Sequence, residues 1–211
     1  MVEEIKQFLM KNTNCSFIIE EGNDWLKVIE EINKIPNFDH YFELIYWAEQ
    51  NKWEVVSVIR NIRRRLRIFD DKNVACFALV TIVIKYVSKP MIIKPNISMM
   101  ELDQSNEKSI NKIENLFTSI INDKNYSIFS QKTDAVVLLK QNSVYSVSYY
   151  DNQGNEYIIS EDNEDFELSV NVLFNHAWYL YLLDQLIENW PYEIKNLNEL
   201  EKIKKMMLRI K

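Results

Sequence analysis

Apolar residues recur at helical spacing through most of the first hundred positions. Ile5, Phe8 and Leu9 share one side of Val2 to Met10. Asp24 can cap a helix bearing Trp25, Val28, Ile29 and Ile32 at i, i+3, i+4, i+7, with Pro36 ending it. A further helix from about Asp39 to Gln50 turns Phe42, Ile45 and Tyr46 inward, and Leu44 and Trp47 widen its stripe. From Lys52 to Phe69 the positions Val55, Ile59, Ile62 and Leu66 repeat at four, three and four residues, which predicts a helix with a narrow core-facing stripe. After a turn at Asp70, Asp71 and Lys72, the run Asn73 to Val87 is apolar on nearly all sides and predicts a central helix. Its β-branched stretch Val80 to Ile84 favours strand locally, but its length and flanking helices favour helix. Trp25, Trp47 and Trp190 are expected against the core.

The period changes in the second half. Pro90 and Pro95 bracket a loop, and Ser109 to Ile121 reads as another helix. Ala135 to Leu139 is continuously apolar, and Val144 to Tyr150 alternates Tyr145, Val147 and Tyr149 against Ser146 and Ser148. A turn at Asp151 to Asn155 leads back into a strand, Glu156 to Ser160, and an acidic loop spans Glu161 to Glu167. Val170 to Trp190 and Leu197 to Ile210 are helical. The pattern therefore predicts a mainly α fold: a helical bundle or superhelix with a short antiparallel β-ribbon inserted at about residues 135–160. A single domain 1–211 is expected, with N-terminal helices over residues 1–125, the ribbon insertion and acidic loop at 126–168, and C-terminal helices at 169–211.

Composition supports long helices. Two glycines and four prolines in 211 residues leave few residues for the tight turns of a β-sandwich. A net charge of −6 makes nucleic acid an unlikely partner. Two cysteines, Cys15 and Cys76, are too few for a disulfide scaffold. Glu3 and Glu4 stand where a secretory leader is basic, and the longest apolar stretch, Val74 to Val87, is broken by Lys85 and too short to cross a bilayer. No transmembrane segment and a cytoplasmic location are the expectations.

Catalytic signatures are missing from the sequence. No glycine-rich phosphate loop exists, and Cys15, Cys76, His40 and His176 are not clustered as zinc requires. Cys76 and His176 with an acid could form a nucleophilic site, but both fall on apolar helix faces, where a packed thiol and a hydrogen-bonded imidazole are the ordinary outcome. The carboxylates of 161–167 lack the glycine-centred pattern of a calcium loop. No catalytic residue, metal or cofactor is assigned. The informative feature is basic: on the predicted helix, Arg60, Arg64 and Arg67 fall on one side with Arg63 and Arg65 beside them. Guanidinium forks bind carboxylate and phosphate, so Arg60, Arg63, Arg64 and Arg67 form a candidate docking face for an acidic peptide, a phosphorylated segment or a phosphoinositide. The competing reading is a solvated face paired with the chain's own carboxylates. Tyr145, Tyr149 and Tyr157 on the ribbon are a second candidate surface, unless they pack under the helices.

Stretches of the chain resemble two known families. Trp53 to Leu66, followed by Asp71-Lys72-Asn73-Val74-Ala75-Cys76-Phe77-Ala78-Leu79-Val80, is similar to the VHS/ENTH superfamily, where a helix ending in a basic-leucine step precedes a short turn and an apolar helix. Asn12-Thr13-Asn14, Asp24-Trp25 and Ile32-Asn33 resemble that family's opening pattern, and Leu183 to Trp190 with Leu200 to Ile210 resemble its closing helices. The resemblance implies a helical superhelix and a cytoplasmic, non-catalytic adaptor of sorting peptides or phosphoinositides. Phe42 to Gln50 looks like a helix of small bacterial death-like adaptor domains, which also implies a protein-interaction module. The function expected from the sequence is an adaptor-like module docking an acidic or phosphorylated partner. The alternatives are an inhibitor of another protein (an immunity protein, antitoxin or viral antagonist) and an enzyme of unrecognised type.

Overall fold

The computed structural model describes residues 1–88 and 107–210. The described residues form two compact units, one of residues 1–88 with 186–207, the other of 107–185 with 208–210. The loop expected between Pro90 and Pro95 lies outside the described residues.

The first unit is built on a five-stranded antiparallel meander, where the sequence predicted helices. Strands β1 (Ser16–Glu21), β2 (Trp25–Ile32), β3 (Ile35–Trp47), β4 (Lys52–Ile59) and β5 (Ile62–Phe69) pair in chain order. The helices expected at 24–32, 39–50 and 52–69 are thus corrected to strands. With them go the mainly α fold class, the all-α helical bundle and the VHS/ENTH superhelix. The death-like resemblance fails likewise, because Phe42 to Trp47 lie in β3.

Turn chemistry explains the outcome. Asn33 and Lys34 have φ of 54° and 66°, and Arg60 and Asn61 have 48° and 65°. Two successive left-handed residues are the geometry of the two-residue hairpin turn whose twist matches paired strands. The chain makes these turns without glycine, using asparagine at one position of each. The apparent helical stripe is divided between two strands: Val55 and Ile59 on β4, Ile62 and Leu66 on β5. Pro36 opens β3 opposite Glu31, beside a register shift, where a missing amide donor is tolerated.

One sheet face carries Leu26, Val28, Phe42, Leu44 and Val55, all buried. Helix α2 (Lys72–Val87) packs against this face, with the Tyr86 ring 4.0 Å from His40 and 5.7 Å from Phe42. The helix is capped by Asp71, whose carboxylate accepts from the Val74 amide at 2.9 Å, and its residues 74–85 are buried, as the all-round apolar pattern predicts. Helix α1 (Val2–Asn12) adds Ile5, Phe8 and Leu9. Trp190 packs edge-on to Phe8 at 4.9 Å and against Phe77 at 5.1 Å. Trp190 is in the core as expected, at 9% exposure, whereas Trp25 and Trp47 lie on the sheet surface at 43% and 46%.

The second unit holds the expected strands, but as a four-stranded mixed sheet. Strand β6 (Tyr126–Ile128) runs parallel to β7 (Ala135–Gln141), and β8 (Val144–Tyr150) and β9 (Glu156–Asn163) continue antiparallel. Helix α3 (Glu107–Thr118) brings Ile113 and Phe117 to this sheet. Helix α4 (Phe166–Asn189) adds Phe166, Val170, Leu173, Phe174 and Ala177. Residues of α4 from Leu186 onward count with the first unit, as does helix α5 (Leu197–Leu208) except for Leu208. The acidic segment expected as a loop is mostly ordered: β9 extends to Asn163 and α4 begins at Phe166.

Candidate functional site: an arginine-bearing hairpin

The five arginines singled out by the sequence lie on the β4–β5 hairpin, so strand geometry decides where each points. Arg63 and Arg65 lie opposite Val58 and Val56, on the sheet face away from α2. Arg64 lies opposite Ser57, on the α2 side. A register shift between Val55 and Val56 sets Arg67 opposite Val55, so this arginine also turns to the α2 side. Arg60 occupies the first turn position. Arg64 and Arg67 thus keep a common face, Arg63 and Arg65 take the opposite one, and Arg60 leaves the expected grouping for the turn.

Two of the arginines are bound to the chain's own carboxylates. Arg63 Nη2 lies 3.1 Å from Glu43 Oε2, and Arg65 Nε pairs with Glu54 Oε1. Glu43 and Glu54 are only 9% and 5% exposed. Glu54 also accepts from the Trp47 indole at 2.6 Å. Buried carboxylates need such partners. Arg63 and Arg65 are thus paired with carboxylates of the same sheet. Arg67 is half-buried, and burial lowers the pKa of its guanidinium.

Arg60 and Arg64 differ. Both are exposed, and among the described residues no ion pair reaches either. Ile59 and Ile62 beside them are exposed too, Ile62 at 62%. The hairpin tip therefore presents two unneutralised guanidiniums and two aliphatic side chains to solvent. The signal that could have placed them was Arg60-Asn61 between two β-branched residues, a hairpin turn in a chain poor in glycine.

The other candidates are placed differently. Tyr145 and Tyr149 are fully buried, and the Tyr149 hydroxyl donates to Asp134 at 3.1 Å. The half-buried Tyr157 donates to Asp151 at 3.1 Å, which orders the β8–β9 turn. Cys76 is buried, and burial pushes its thiol pKa up to about 11, so it is held neutral and unreactive. His176 Nδ1 donates to the Val172 carbonyl at 2.8 Å. Among the described residues no three acidic, histidine or cysteine side chains converge to hold a metal ion, and no helix is long and apolar enough to cross a membrane.

One further polar pair had no signal in the sequence pattern. His40 Nε2 and Ser57 Oγ are 3.0 Å apart beneath Tyr86, and burial lowers the His40 pKa. Ser57 is itself buried in a central strand, so the pair ties β3 to β4 and offers no open hydroxyl.

Comparison of the chain with protein-family models, with curated proteins and with solved structures returns no match.

Proposed function

We propose that the protein is a non-catalytic, cytoplasmic interaction module that docks an acidic or phosphorylated segment of another protein on its β4–β5 hairpin. The observation that carries this reading is the exposed pair Arg60 and Arg64, free of internal carboxylates among the described residues, flanked by exposed Ile59 and Ile62. On a chain of net charge −6, a local basic tip distinguishes one surface from the rest. Charge steers and orients the partner, and the isoleucines supply apolar area at the contact.

The test is fluorescence anisotropy with a labelled peptide of eight glutamates and a phosphoserine-containing peptide of equal length. Binding to the parent weakens as salt rises, because exposed charge pairs are screened over about 8–10 Å. The double variant Arg60→Glu, Arg64→Glu loses at least about tenfold in affinity for both peptides, with its melting temperature nearly unchanged. Undiminished binding by a folded double variant would move the site elsewhere.

A further inference from the structure

Strand β5 is the last strand in the sheet order, with β4 on one side and no strand on the other among the described residues. Its two ends differ. Phe69 is buried, and the adjoining Asp70 amide donates to Glu199 of α5 at 3.4 Å, while Lys202 lies 3.5 Å from the Asp70 carboxylate. Ile62, Arg63, Arg64 and Arg65 are exposed in succession. The α5 helix thus ties down one end of the edge, and the half next to the hairpin tip stands open.

Hairpin geometry fixes which main-chain groups face outward. In a two-residue hairpin the flanking residues, here Ile59 and Ile62, exchange hydrogen bonds with each other. The Arg60 amide bonds to Asp39 of β3 at 2.8 Å, which agrees with Ile59 bonding on the β5 side. Ile62 and Arg64 therefore bond to β4, and the amides and carbonyls of Arg63 and Arg65 point to the open edge. A bare edge of this kind invites another strand, and charged side chains along it select which strand is accepted. Along the open half Arg63 and Arg65 are answered by Glu43 and Glu54 and Arg64 carries the unneutralised charge, so a basic strand is disfavoured and an acidic one is attracted.

We infer that the acidic segment binds as an added β-strand along Ile62 to Arg65, its main chain pairing with the amides and carbonyls of Arg63 and Arg65. Its carboxylates meet Arg64, which no internal carboxylate reaches among the described residues, on the α2 face of the sheet. The inference rests on the docking reading above and adds the binding mode: affinity comes from main-chain hydrogen bonds and selectivity from the arginines.

The test uses an acetylated eight-residue peptide of alternating glutamate and valine, and the same sequence N-methylated at every peptide nitrogen, which keeps all charges and removes all main-chain donors. The expected result is binding of the first peptide and loss of roughly tenfold or more with the second. Amide exchange at Arg63 and Arg65 slows at least about tenfold on binding while Arg64, already bonded to β4, keeps its rate. Equal binding of both peptides with unchanged exchange overturns strand addition and leaves docking through side chains. Failure of both peptides where the eight-glutamate peptide binds overturns strand addition alone, and failure of all of them overturns the docking reading as well. Slowing of Arg63 and Arg65 with protein concentration, without peptide, replaces the foreign strand by an acidic edge of a second copy.

Discussion

Glu43 and Glu54 show what individual residues contribute on the outer face of the first sheet. Each is a buried carboxylate on a strand, and each is answered by an arginine of β5. Arg65→Ala leaves Glu54, among the described residues, with the Trp47 indole as its partner, and the expected cost is about 1–3 kcal/mol by urea unfolding. Arg64→Ala, which strands no carboxylate, changes stability by less than about 0.5 kcal/mol. The tryptophans divide in the same manner. Trp190→Ala opens a cavity beside Phe8 and Phe77 and costs about 3–5 kcal/mol, well above Trp25→Ala or Trp47→Ala at the half-exposed sheet surface. His40 makes stability depend on pH. Burial holds its folded pKa below the ordinary value of 6.5, so the unfolded chain takes up the proton first on acidification. Its contribution is complete above about pH 6.5 and is lost as pH falls through the folded value. Replacing His40 with Gln should flatten the unfolding midpoint between pH 7 and 5; an unchanged slope would assign the dependence to other groups.

Secondary-structure elements were legible where one physical cause decides them. The helix Lys72–Val87 is apolar all round and too long for an ordinary strand, and the alternation Tyr145, Val147, Tyr149 admits only strand. The meander was hidden because its turns depart from the common signal. Asn33-Lys34 and Arg60-Asn61 reverse the chain without glycine, and Val55 and Ile59 of β4 happen to join Ile62 and Leu66 of β5 into a 3.6-residue stripe. The density of Val55, Val56, Val58 and Ile59 was the local cue for strand. The arginines were legible as a basic patch, but their grouping depended on the period assigned, so only the structure separates Arg64 from Arg63 and Arg65. Lys34 holds a left-handed conformation at φ 66°, which costs a side-chain-bearing residue about 1 kcal/mol. Lys34→Gly creates the favoured Asn-Gly turn and should raise the melting temperature by a few degrees, whereas Lys34→Val should lower it. If both variants melt like the parent, the turn geometry is wrong.

Taken whole, the chain combines an acidic composition with one basic edge. Its first sheet ends on one side in Glu20 and Glu21 of β1 and on the other in the arginines of β5, so the two edges carry opposite charge. This asymmetry is invisible in the net charge and follows from strand order, which the sequence pattern alone did not reveal. The functional reading depends on β5 being an open edge whose outward main-chain groups belong to Arg63 and Arg65. Residue-resolved amide exchange across positions 57–69 of the free protein measures this directly. The expected pattern is slow exchange at Arg64, bonded to β4, between fast exchange at Arg63 and Arg65. Uniform slow exchange through Arg63, Arg64 and Arg65 would mean a covered edge or a continuous helix, and would contradict the account.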